Sequence, residues 1–181
     1  MTDASRGALR TLADEKGYAT FVIPDDVGGR FSVLTPVGLV PLAVAGVDVR
    51  ALVAGARDMR AACLGDDLFA NPAHLYAAVR HLLGIRGFTT EVMSTFHSGL
   101  QQVQEWWKQL FGESEGKGGQ GIFPASTVFT TDLHSLGQYI QDGRRELQES
   151  FLVVRDGVPG VTVPKEAQGG RNLDGLDYLA G

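Results

Sequence analysis

The run Ser98–Phe111 sets Leu100, Val103, Trp106, Trp107, Leu110 and Phe111 on one face of a helix. So many large apolar side chains must be covered, so this helix needs a sheet or other helices against it. Short strand-like runs flank it: Phe88–Phe96 (FTTEVMSTF), entered through Gly87, and Ser126–Phe129. No basic residues interleave the two tryptophans, so the stripe reads as core rather than as a base-stacking platform. Beyond it, Thr131 or Asp132 caps a helix through about Gln141 that turns Leu133, Leu136, Tyr139 and Ile140 inward. Glu149–Arg155 (ESFLVVR) reads as a further strand, Gly157–Arg171 as a loop, and Asn172–Ala180 as the start of a helix.

The earlier half has the same alternation. Ala4–Lys16 is a modest helix stopped by Gly17, and Tyr18–Ile23 (YATFVI) a short strand ended by Pro24. Helix, glycine and apolar strand make the second half of a parallel α/β unit. Pro24–Ser32 is then a loop at the strand's carboxyl end, where open α/β sheets place ligands. Val33–Val49 is almost wholly small and apolar, with Pro36 and Pro41, and predicts a buried, proline-kinked helix. Val49–Leu64 continues as a helix with Leu52, Val53, Ala56 and Met59 on one face. Gly65–Asn71 reads as a linker, with Asn71 an N-cap and Pro72 the first residue of a helix to about Gly84.

Several function classes fall away on composition. A net charge of −5 without a Lys/Arg cluster gives no nucleic-acid footprint. The apolar run Val37–Val49 is short and broken by Pro41, Gly46 and Asp48, so it does not span a bilayer. No secretory leader opens the chain, and the single cysteine, Cys63, fits a reducing cytoplasm and packs as a small hydrophobe.

The chemistry-bearing stretch is Gly112–Ser135. Glu113 follows the amphipathic helix and His134 sits just inside the next one, joined by a glycine-rich loop. A carboxylate and an imidazole on element ends suit acid/base work, and equally suit solvated or capping roles. Arg30, after Gly28-Gly29, is a permanent charge on a loop that can approach a ligand; as a local pattern it reads first as a glycine turn with a surface arginine. GKGGQG at Gly116–Gly121 matches G-x-G-x-x-G in letters, but a helix precedes it, so the dinucleotide reading fails. The histidines His74, His81, His97 and His134 lack metal-ligand spacing, and no G-x-S-x-G elbow is present.

Longer matches decide more. Asp26–Gly38 (DVGGRFSVLTPVG) resembles a signature of the phosphoglucose isomerase family. Trp106–Ser126 (WWKQLFGESEGKGGQGIFPAS) and Phe129–Arg145 (FTTDLHSLGQYIQDGRR) resemble its bacterial form, in the right order and with no evident gaps. The resemblance implies an α/β fold of sugar isomerase (SIS) type, three-layer αβα with a mainly parallel sheet. It divides the chain into 1–64, the end of a first SIS domain with crossover helices, and 65–181, most of a second. The family's Ser/Thr-Gly phosphate loop, of the SKSGTT type, and its downstream Gln and Lys find no match here, so the chain is expected to be an internal piece with no activity by itself.

The family interconverts glucose 6-phosphate and fructose 6-phosphate through an enediolate, with no metal or organic cofactor, in the cytoplasm. By resemblance Glu113 is the base acting at C2 and C1, His134 assists ring opening from a neighbouring subunit of a homodimer, and Arg30 stabilises the enediolate. Gly29 offers a backbone N–H to the substrate. Two alternatives remain: a non-catalytic sugar-phosphate-binding module, which should lack the base, and a purely structural or assembly piece.

Overall fold

The computed structural model describes residues 1–155. Its sheet has three parallel strands, β1 (Thr90–Thr95), β2 (Phe123–Val128) and β3 (Leu147–Phe151), in the order β2-β1-β3. Thr90 pairs with Phe123 on one side and with Leu147 on the other. Around them run α1 (Ala8–Lys16), α2 (Pro36–Val44), α3 (Val49–Ala62), α4 (Pro72–Ile85), α5 (Gln101–Glu115) and α6 (Thr131–Asp142), with short 3-10 helices at Gly29–Leu34 and Ser98–Leu100. The β1–β2 and β2–β3 crossovers run in opposite directions across the sheet, and right-handed connections then put α5 on one face and α6 on the other. The result is the expected three-layer α/β arrangement.

The core centres on β1, buried from Glu91 to Thr95. Polar residues are tolerated there because they find partners. Glu91, fully buried, accepts from Tyr76 Oη and Ser150 Oγ, both at 2.6 Å, and from Arg80 Nε. Arg80 lies 4.3 Å from the Phe111 ring centroid and 5.6 Å from that of Tyr76. Burial, then the bond to Glu91, pushes the Tyr76 hydroxyl well above its ordinary range. Burial opposes the charge on Arg80, but its bonds to Glu91 and Glu115 outweigh this and hold the guanidinium more firmly protonated. Elsewhere on β1, Ser94 bonds Thr127 at 2.7 Å and also Glu149. Buried Gln104 donates to the carbonyls of Met93 (2.8 Å) and Thr127 (2.9 Å), locking α5 across the β1–β2 seam.

Several predicted features hold. Gly17 ends α1 in the left-handed conformation (φ 65°), and the Asn71 side chain caps α4 through Ala73 N and His74 N behind Pro72. Asn71 Nδ2 also donates to the carbonyls of Cys63 and Gly65, so one buried side chain fastens the segment after α3 to the start of α4.

Others are corrected. Among the described residues Tyr18–Ile23 makes a single parallel bridge, Thr2 to Val22, because no further strand pairs with it. Val33–Val49 forms α2 around Pro41, yet none of α2 is buried and Val44 is 85% exposed. Apolar composition predicted burial; among the described residues no element covers this helix fully. Leu133, Leu136 and Tyr139 are likewise exposed rather than inward. Neither Thr131 nor Asp132 is the cap of α6: Thr130 holds that position, and Asp132 instead accepts from Val128 N. The last strand is Leu147–Phe151, starting two residues earlier than its apolar end suggested, since Leu147–Phe151 pair with β1 and the Val153–Val154 end does not. Gly157–Arg171 and Asn172–Ala180 lie outside the described residues.

Candidate active site

α5 carries two faces. Gln104, Trp107 and Phe111 look into the core, while Trp106, Gln109 and Glu113, spaced three and four apart, share another face. Glu113 lies within the last turn of α5 rather than just past its end. Gly112 does not stop the helix; Gly116 does, its N–H bonding the Gly112 carbonyl at 3.1 Å. The loop then doubles back against that end through Gly121 (φ 104°), where an added Cβ would lie 2.8 Å from the Glu115 carbonyl. The GKGGQG run therefore closes a helix terminus and cradles no dinucleotide.

Facing α5 is the 3-10 turn Gly29–Leu34. Ser32 Oγ donates to Gly29 O and Thr35 Oγ1 to Ser32 O, each at 2.7 Å, and Thr35 Oγ1 accepts from Val37 N. Gly38 lets the turn fold back on the start of α2, for a Cβ there would sit 2.1 Å from the Val33 carbonyl. This fold-back presents Arg30 to α5. Trp106 Nε1 donates to the Arg30 carbonyl at 2.7 Å, fixing its backbone. The Arg30 side chain donates to Ser114 Oγ at 3.0 Å and to Glu113 Oε2 at 3.2 Å. The other carboxylate oxygen, Oε1, accepts from Gln109 Nε2 at 3.1 Å.

Two predicted residues 83 positions apart thus meet in an ion pair. The Glu113 side chain is 55% exposed and that of Arg30 25%, so the pair contributes little to stability. What it does is orient a carboxylate that a ligand can still reach, with a cation beside it for developing negative charge. Beside Gly112 a cavity of about 440 Å³ is lined by Lys108, Gly116, Gln120, Phe123 and Pro124.

His134 does not join this pair. It is exposed on the first turn of α6, which leaves the carboxyl end of β2, whereas Glu113 is near the end of α5, just before the amino end of β2. Six strand residues separate the two ends, a span of about 20 Å. Gly29 opens the 3-10 turn with open space at its Cβ position. Trp106, Gln109 and Ser114 are not singled out as site residues by the sequence; the helical spacing from Glu113 back to Gln109 and Trp106 is the signal that points to them. Among the described residues no group of three or more His, Cys, Asp or Glu could hold a metal, and no helix is long and apolar enough to cross a membrane.

Glucose-6-phosphate isomerases of Symbiobacterium thermophilum and Parabacteroides distasonis are each 57% identical to this chain, over 180 and 182 residues. That of Exiguobacterium sibiricum is 54% identical over 180 residues. Over its whole length the chain is similar to glucose-6-phosphate isomerases. It spans 39–40% of the length of these relatives, and the matches cover 99–100% of it. A hypothetical protein from Thermus thermophilus, known from its crystal structure, superimposes with a TM-score of 0.85 and 32% identity over 99% of this chain and 43% of its own. No family model matches the chain. The Arg30–Glu113 pair joins two of the segments in which the sequence resembles the isomerase family, Asp26–Gly38 and Trp106–Ser126.

Proposed function

We propose that this chain supplies the proton-transfer half of a glucose-6-phosphate isomerase, converting glucose 6-phosphate to fructose 6-phosphate and back in the cytoplasm. The observation that carries the reading is the Arg30–Glu113 ion pair, reachable by a ligand and assembled from two segments that both resemble the family.

In the ring-opened aldose, Glu113 takes the proton from C2. The C2–H electrons form a C1–C2 double bond, and the carbonyl π pair moves onto O1. Arg30, already within bonding distance of the carboxylate, faces the resulting enediolate charge as its counter-charge. Glu113 then returns the proton to C1 while the O2 proton passes to O1, giving the C2 ketone and the C1 hydroxyl. Gln109 keeps one carboxylate oxygen engaged, so the base acts in one orientation. The Gly29 backbone N–H is the proposed contact to substrate.

His134, at the opposite end of β2 from Glu113, serves the ring-opening step in a second copy of the enzyme within a homodimer. The substrate's phosphate is its strongest handle, and no loop of the SKSGTT type suited to it occurs in these 181 residues. The 181-residue polypeptide alone therefore turns over no hexose phosphate in a coupled assay. The direct test of the base uses a complete isomerase carrying this segment: Glu113→Gln lowers exchange of the C2 proton with solvent by about 10²–10⁴ while substrate still binds. Near-normal exchange in that variant removes Glu113 from the chemistry.

A further inference from the structure

Glu113 stands on an unfavourable piece of helix. The last turn of α5 carries Glu113 and Glu115 and no basic residue, although a helix C-terminus repels negative charge and its final carbonyls lack helical partners. Terminal turns of this kind open first. Two arginines from outside the helix offset this. Arg30 takes Glu113, and Arg80 Nη1 takes both oxygens of Glu115, at 2.9 and 3.0 Å.

The two contacts differ in kind. Arg80 is 6% exposed, and its far side is bonded through Nε to the fully buried Glu91, which Tyr76 and Ser150 also hold. Its guanidinium sits over the ring of Phe111, one turn before Glu115 on α5 itself. The chain of contacts runs from β3 and β1 through Glu91 and Arg80 to Glu115, two residues from Glu113. We propose that Arg80 is a positioning residue, which through Glu115 holds the last turn of α5 so that the Glu113 carboxylate keeps its place against Arg30 and Gln109. This rests on Glu113 being the base. Lysine would not replace Arg80, because reaching Glu91 and Glu115 at once needs the planar, multi-donor guanidinium.

The test has two arms, one independent of catalysis. In the 181-residue chain, amide hydrogen exchange over Ser114–Lys117 is compared for the wild type, Glu115→Gln and Arg80→Lys. Both variants should exchange about tenfold faster there, and in Glu115→Gln the β1 amides Val92–Ser94 should stay as protected as before. Glu115 is 38% exposed, so its variant keeps the core pair intact and should fold. In a complete isomerase with this segment, Glu115→Gln should lower kcat about tenfold with KM within about twofold, and Arg80→Lys should not rescue. Unchanged protection of Ser114–Lys117 overturns the proposal, as does faster exchange there with an unchanged kcat. Glu113→Gln is the control: intact C2 exchange in that variant defeats the base reading, while the amide arm still decides whether Arg80 holds the turn.

Discussion

Residues 1–64 are the more apolar stretch by sequence, yet residues 71–155 hold most of the burial. In the first stretch only Thr2, Ala13 and Ser32 are buried, and Leu9, Tyr18, Phe21, Val44 and Met59 are exposed. In the second, a strand buried along most of its length carries a carboxylate, two hydroxyls and an arginine partner into the core. The difference lies in pairing. β1 has a neighbouring strand on each side and side chains of α4 and α5 bonded to it, whereas Tyr18–Ile23 has one bridge and α2 is covered only in part, by the 3-10 turn Gly29–Leu34 and by α3. Apolar sequence supplies the drive to bury, but only a partner element fulfils it. The functional consequence is that the loosely covered stretch supplies Arg30, while the packed stretch supplies the rigid helix it meets.

The contrast between the two stretches should show most strongly in the core. Glu91→Ala leaves Arg80 buried without its innermost partner and should cost about 3–5 kcal/mol. Leu52→Ala, at a site on α3 already 38% exposed, should cost far less than a full core truncation, about 1 kcal/mol or below. Urea unfolding followed by the fluorescence of Trp106 and Trp107 measures both, and equal losses would end the contrast. Next comes the contact that joins the regions. Arg30→Lys in a complete enzyme keeps the charge but loses the fork that reaches Ser114 and Glu113 together, so kcat should fall about 10–100-fold with a smaller change in KM. A loss confined to KM would make Arg30 a uniform binding residue. A smaller effect than in the core is expected at the junction between the two stretches: Asn71→Ala removes the α4 cap and the ties to Cys63 and Gly65, worth about 1–2 kcal/mol by thermal unfolding. No change would mean that water replaces those bonds.

Local signals in the sequence are sound wherever the physics is local. Gly17, Asn71-Pro72 and the helical spacing after Ser98 each mark an element correctly. Reading fails where a partner decides the outcome. Val33–Val49 reads as buried because composition carries no information about what lies opposite. The strand at 147–151 is misplaced because its polar residues Glu149 and Ser150 find partners on β1 that are invisible in the run itself, while the more apolar Val153–Val154 lies beyond the ladder. The site behaves in the same way. No spacing rule joins Arg30 to Glu113 across 83 residues; only the two family-like segments suggest it, and Trp106, which reads as core, instead holds the Arg30 backbone.

If the two ends of this sheet serve two different active sites, two inactive full-length mutants should rescue each other. His134→Ala and Glu113→Gln are mixed under conditions that exchange subunits, and turnover of hexose phosphate is measured. About half of the dimers formed at random are hybrids with one intact site, so activity should recover to about a quarter of the wild-type level. No recovery despite demonstrated subunit exchange would mean that each chain uses its own histidine, contradicting the separation of about 20 Å between the two ends.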